Sequence, residues 1–157
     1  MLWFLAVVTT VYLLHAAWTD LKERYVYGNV GILLALAWLL YYLVQEGWNI
    51  KIFCVLAVHI FLWVAMNYFH VWGNGDSDLL LIFAMVNAWM MASYNFADCV
   101  IIECIFLIAA MLLSVLASVL EMMVRKKKWS IWTRAAVAPG FAIVTIYMLS
   151  AILVAEG

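Results

Sequence analysis

Charge is what this chain has least of. Asp, Glu, Lys and Arg together supply 11% of its 157 residues, where ordinary soluble domains carry about 25%. The hydrophobic share is 71% and the mean hydropathy is +1.11. Such a chain belongs in a membrane, and soluble classes are excluded. Cysteine is also scarce. Cys54, Cys99 and Cys104 lie in or beside apolar runs and form no CxxC pair, so neither a zinc site nor a disulfide framework is supported. They are expected to be small buried apolar residues. Basic residues make one short cluster, Arg125–Lys128. It reads as an orientation signal that also meets anionic lipid head groups, and a nucleic-acid partner is not expected. The apolar amino terminus lacks a basic n-region, so Leu2–Trp18 reads as a first span rather than a cleaved signal. No linker, fixed repeat or low-complexity segment divides the chain. A single domain, 1–157, is expected.

What the chain does have is long apolar runs. A helix needs about 20 apolar residues to cross a bilayer, with a range of roughly 17–25. Six runs approach this: Leu2–Trp18, Asn29–Val44, Ile52–Phe69, Leu79–Tyr94, Cys99–Val124 and Ala135–Ala155. The second and fourth are short and are expected to lean on neighbours rather than lipid. Backbone polar groups in lipid must be satisfied internally, which makes these runs helices. The expected fold is an all-α polytopic membrane bundle of about six transmembrane helices. Lys22, Arg24, Arg125–Lys128 and Arg134 follow odd-numbered spans, and Lys51 follows an even one. By the positive-inside rule the odd loops face the cytoplasm and both termini face outward.

Two acids stand at the cytoplasmic ends of this layout. Asp20 follows the first run, and Asp76 follows the third within Gly73-Asn74-Gly75-Asp76. An ionisable group at a membrane edge is a functional-site hypothesis by default. Peptide hydrolysis by carboxylates needs two. One takes a proton from water, and the other, protonated, hydrogen-bonds the scissile carbonyl. Gly73 and Gly75 would let an extended substrate backbone come close, on a turn poor in side chains. Asp78, two residues on, would add negative charge beside Asp76.

These residues carry a family resemblance. The chain resembles the type IV prepilin peptidases and archaeal preflagellin peptidases, of the GxGD class of intramembrane aspartic proteases. Three segments support it: Asp20-Leu21-Lys22-Glu23-Arg24-Tyr25-Val26, Gly73-Asn74-Gly75-Asp76 and Ala138-Pro139-Gly140-Phe141-Ala142. The six-run layout extends the likeness over most of the chain. Tyr27-Gly28 stands where the family has Pro-Asn, and Asp78 where it has Lys. The resemblance implies Asp20 and Asp76 as catalytic acids and Gly73, Asn74 and Gly75 as substrate contacts, while Asp78, which departs from it, is expected to tune the substrate site by its charge. It implies no cofactor and no metal. The implied substrate is a membrane-bound precursor with a basic leader and an apolar helix, cut at the cytoplasmic face of the cell membrane. The paired-CxxC region of larger members is not seen, which implies a peptidase without methyltransferase activity. Rival classes are a small proton- or ion-coupled transporter and a non-catalytic assembly subunit.

Other polar residues have plainer expectations. His15 is expected to pack, since five residues place it about 140° around a helix from Asp20. His59 and His70 are too far apart to share a metal, at about 16 Å along a helix. His70 is a candidate neighbour of Asp76. Glu103 is expected to form a helix-packing hydrogen bond. Ala84, Ala88 and Ala92 recur every four residues and suit close helix approach.

Overall fold

The computed structural model describes residues 1–69, 74–124 and 136–156. Among the described residues there are six helices and no strands. They are α1 (Leu2–Glu23), α2 (Gly28–Glu46), α3 (Ile50–Tyr68), α4 (Asn74–Met90), α5 (Phe96–Val124) and α6 (Ala138–Glu156). All but α4 are long and apolar enough to cross a membrane. The chain is an all-α polytopic bundle. Arg125–Arg134, His70 and Gly73 lie outside the described residues.

Helix α4 is the hub. It packs on α2, α3 and α6, while α1 lies against α6 and α2, and α5 against α6. Leu79, Leu80, Ile82, Phe83, Ala84, Met85 and Val86 are all buried, so α4 is covered nearly all round. A helix in that position meets protein rather than lipid, which lets 17 residues suffice. Ala84 and Ala88 are buried in its contacts, in line with their small size. By contrast, α3 and α5 bury few residues. Phe53, Phe61, Ile105 and Leu112 project from them unburied, as lipid-facing side chains do. The cysteines share this periphery. Cys54 and Cys99 are half-buried and Cys104 is exposed, which corrects the expectation that all three are buried. A lipid-facing position is as apolar as a core and accepts them equally well.

Small and polar residues join the helices where lipid offers no hydrophobic drive. Trp38 Nε1 donates to Thr9 Oγ1 at 2.9 Å, tying α2 to α1 with both residues buried. Gly140 meets α5 so closely that a Cβ there would lie 1.9 Å from Ala110 O. Ser114 Oγ donates to Val137 O at 2.6 Å, and Ala136 N donates to Ser118 Oγ at 2.7 Å. His59 Nε2 lies 2.6 Å from Glu103 Oε1, which links α3 to α5. His15 stacks on Tyr27, with ring centroids 5.9 Å apart. Pro139 falls in the first turn of α6, where its missing N–H costs nothing.

Candidate active site

The site is assembled where α1 and α3 end and α2, α4 and α6 begin. Helix α1 runs past the expected end of its span at Trp18 and carries Asp20 on its last turn. Arg24 then closes the helix in the left-handed region, φ 56°, with its N–H donating to Asp20 O at 3.0 Å. This turn sends Val26 toward α4 and Arg24 toward α5, where its guanidinium pairs with Glu121. The Asp20 carboxylate is buried, and its Oδ2 accepts the Ala138 N–H at 2.9 Å. An anion at that place complements the positive end of the α6 dipole. Arg24 and Glu121 are both near enough to act on Asp20 electrostatically.

Helix α4 opens earlier than the apolar run suggested. The run Leu79–Tyr94 becomes a helix from Asn74 to Met90, so Gly75 and Asp76 lie in its first turn rather than on an open turn. Asp76 in that turn favours the helix through the same dipole. Gly75 has a specific need for its missing side chain. A Cβ there would sit 2.1 Å from Val26 O, so the two backbones touch. Asp78 lies one turn in and is 4% exposed. Its Oδ1 accepts Trp63 Nε1–H at 2.6 Å, and Gly28 and Gly31 of α2 leave room for it. Asn67, one turn after Trp63, donates to Ser77 Oγ at 2.9 Å. Tyr12 Oη donates to Tyr27 O at 2.9 Å and lies within the electrostatic reach of both Asp76 and Asp78.

Between these elements is an open cavity of about 720 Å³, with Arg24, Asn67, Gly75, Asp76 and Asp78 in its walls. Asp76 is half-buried there. The structure therefore brings Asp76, Asp78 and Gly75 to one cavity, with Asn74 opening the same helix. Asp20 does not line it. Arg24 spans the gap, lining the cavity on one side and acting on Asp20 on the other. Among the described residues no group of three or more His, Cys, Asp or Glu is placed to hold a metal ion. What the arrangement offers is a carboxylate, a guanidinium and bare backbone on one wettable wall of an apolar bundle.

The chain matches no protein-family model, no curated protein and no solved structure. Its function rests on the chemistry of the site itself. Tyr12 and Trp63 join the site without having been singled out by the sequence, while Val26 and Gly28 entered only through the segment that carries the resemblance. For Trp63 and Asn67 a signal existed: two hydrogen-bonding side chains four apart on one face of an apolar run.

Proposed function

We propose that this chain is a membrane aspartic endopeptidase that removes the leader of a pilin-like or archaellin-like precursor, as the type IV prepilin peptidases do. The observation that carries the reading is the cavity where α1 and α3 end, with Asp76 in its wall and the side-chain-free Gly75 beside it. Peptide hydrolysis by this route takes a water held between two carboxylates that share one proton. Asp76 supplies one from the cavity. Asp20 supplies the other when precursor binding turns it from the Ala138 amide toward the cavity. Arg24 then holds the polar backbone of the cleavage segment, while its apolar helix remains in lipid. The basic residues Lys22 and Arg24 at this end favour a cytoplasmic cavity by the positive-inside rule.

The test is precursor processing by purified protein in liposomes. Asp20→Asn and Asp76→Asn are each expected to lower cleavage at least about a hundredfold, since an amide cannot exchange a proton with water as a carboxyl does. The amide introduced by Asp20→Asn still offers an oxygen to the Ala138 N–H, so that variant is expected to remain folded. Near wild-type cleavage by either variant would remove the dyad. The Ala138–Asp20 bond also favours a second reading, in which Asp20 solely caps α6 in a non-catalytic assembly subunit. That reading expects no precursor cleavage by the unaltered chain.

A further inference from the structure

The opposite end of the bundle holds a second cavity that peptide cleavage does not use. It measures about 690 Å³, in the range of sites that bury a small ligand. Helix α4 runs from one cavity to the other, about 25 Å at 1.5 Å per residue. Trp89 of α4, Phe106 of α5 and Tyr147 of α6 wall it with aromatic rings. The Phe106 and Tyr147 centroids are 6.2 Å apart, and Trp89 is held against Tyr41 at 4.8 Å. Glu46 and Glu156 complete the wall, and among the described residues no basic side chain lines it.

The helix ends make the charge still more one-sided. Helices α2, α4 and α6 all terminate here, at Glu46, Met90 and Glu156. A helix C-terminus carries partial negative charge and disfavours an acid. Neither α2 nor α6 has a basic residue in its last turn. Among the described residues, neither Glu46 nor Glu156 forms an ion pair. The α4 end shows what such a rim attracts. Lys51 Nζ donates to Ala92 O at 2.9 Å and to Tyr94 O, carbonyls of two residues in the cavity wall. One primary ammonium therefore meets the carbonyls just beyond α4, and among the described residues the α2 and α6 ends have none.

We propose that this cavity binds the ethanolamine headgroup of a membrane phospholipid. The ammonium lies between Glu46 and Glu156, which accept its N–H groups, and the aromatic rings face the cation. A quaternary headgroup has no N–H to donate. Lipid is the source, because the flanking surface is apolar and unburied: Ile105 is 58% exposed and Val154 83%. An acyl chain can follow that surface away from the headgroup. The inference is independent of the peptidase reading.

The test is native mass spectrometry of the full chain in detergent micelles with equal amounts of phosphatidylethanolamine, phosphatidylglycerol and phosphatidylcholine. One phosphatidylethanolamine is expected to stay bound in preference to the other two lipids. Glu46→Gln with Glu156→Gln should weaken that binding about tenfold, and each alone about threefold, the scale of exposed ion pairs. Both residues are exposed, so the variants are expected to keep the wild-type circular dichroism spectrum. Asp98→Asn removes an exposed charge at the same end and should change nothing. Equal retention of all three lipids, unchanged retention in the double variant, or an equal loss in Asp98→Asn would each overturn the proposal.

Discussion

Asp78 shows how much one residue's meaning depends on its surroundings. In the sequence it stands two places after Asp76 and reads as a charge that tunes a substrate site. In the structure it is buried, and its Oδ1 holds the Trp63 indole N–H. Removing an acceptor from a buried donor costs about 1–3 kcal/mol, an upper figure for the half-buried Trp63. Asp78→Asn keeps an acceptor oxygen and is expected to lose less than about 1 kcal/mol of that. Asp78→Lys brings an ammonium against an indole N–H and the α2 backbone at Gly28, and it removes the acceptor that the indole uses. It is expected to be the more damaging change, lowering the unfolding midpoint in detergent well below that of Asp78→Asn. A lysine variant as stable as wild type would return Asp78 to a purely electrostatic role. Gly75→Ala is a companion case. The added methyl meets the backbone of Val26 rather than a movable side chain, and overpacking of this kind costs about 1–3 kcal/mol. Loss of both stability and precursor processing is expected.

At the scale of elements, the helices were legible in the sequence and their ends were not. Apolar runs of membrane length announce helices because lipid leaves the backbone no other partner. The ends depend on side chains that hydropathy does not register. Asn49 accepts Ile52 N–H at 3.0 Å and starts α3, and Asn95 accepts Asp98 N–H at 2.9 Å before α5. Asp76 and Asp78 were legible as polar residues beside an apolar run. Trp63 was passed over, because an indole counts as apolar while its N–H is a strong donor, and its one signal was the four-residue spacing to Asn67. The Ala138–Asp20 bond joins residues 118 apart, and no local pattern encodes it. Element packing yields its own prediction at Gly140, where α6 touches the α5 backbone at Ala110. Gly140→Ala is expected to force these helices apart and strain the neighbouring Ser114–Val137 and Asp20–Ala138 bonds. Its measurable consequence is a lower unfolding midpoint than Ala142→Gly, which removes a buried methyl from the same helix without a collision. The reverse order would mean that the α5–α6 contact is loose.

For the whole molecule, the distribution of charge between the two ends decides how it sits in a membrane. The Asp76 end carries Lys22 and Arg24, and α5 leads from this end's neighbour Glu121 into the basic run Arg125–Lys128 of the sequence. The other end carries Lys51 together with Glu46, Asp98 and Glu156. Lys51 is already engaged with carbonyls just beyond α4, so it contributes little free positive charge there. Basic residues near span ends hold a loop in the cytoplasm far more strongly than acids hold one outside. The Asp76 cavity is therefore expected to face the cytoplasm and the Glu46–Glu156 cavity the outside. This orientation also suits the proposed chemistry, because a precursor with a basic leader keeps that leader in the cytoplasm by the same rule. Cysteine labelling checks it in a background with Cys54, Cys99 and Cys104 replaced. A cysteine at Trp48, 69% exposed between α2 and α3, should react with an impermeant maleimide in intact cells. One at Tyr25, 56% exposed beside the Asp76 cavity, should react only after the membrane is opened. The opposite pattern would put the carboxylates on the outer face. A peptidase of cytoplasmic leaders could not work from there, and an outward-facing acidic cavity in a polytopic bundle would then suit the uptake of a cation or proton.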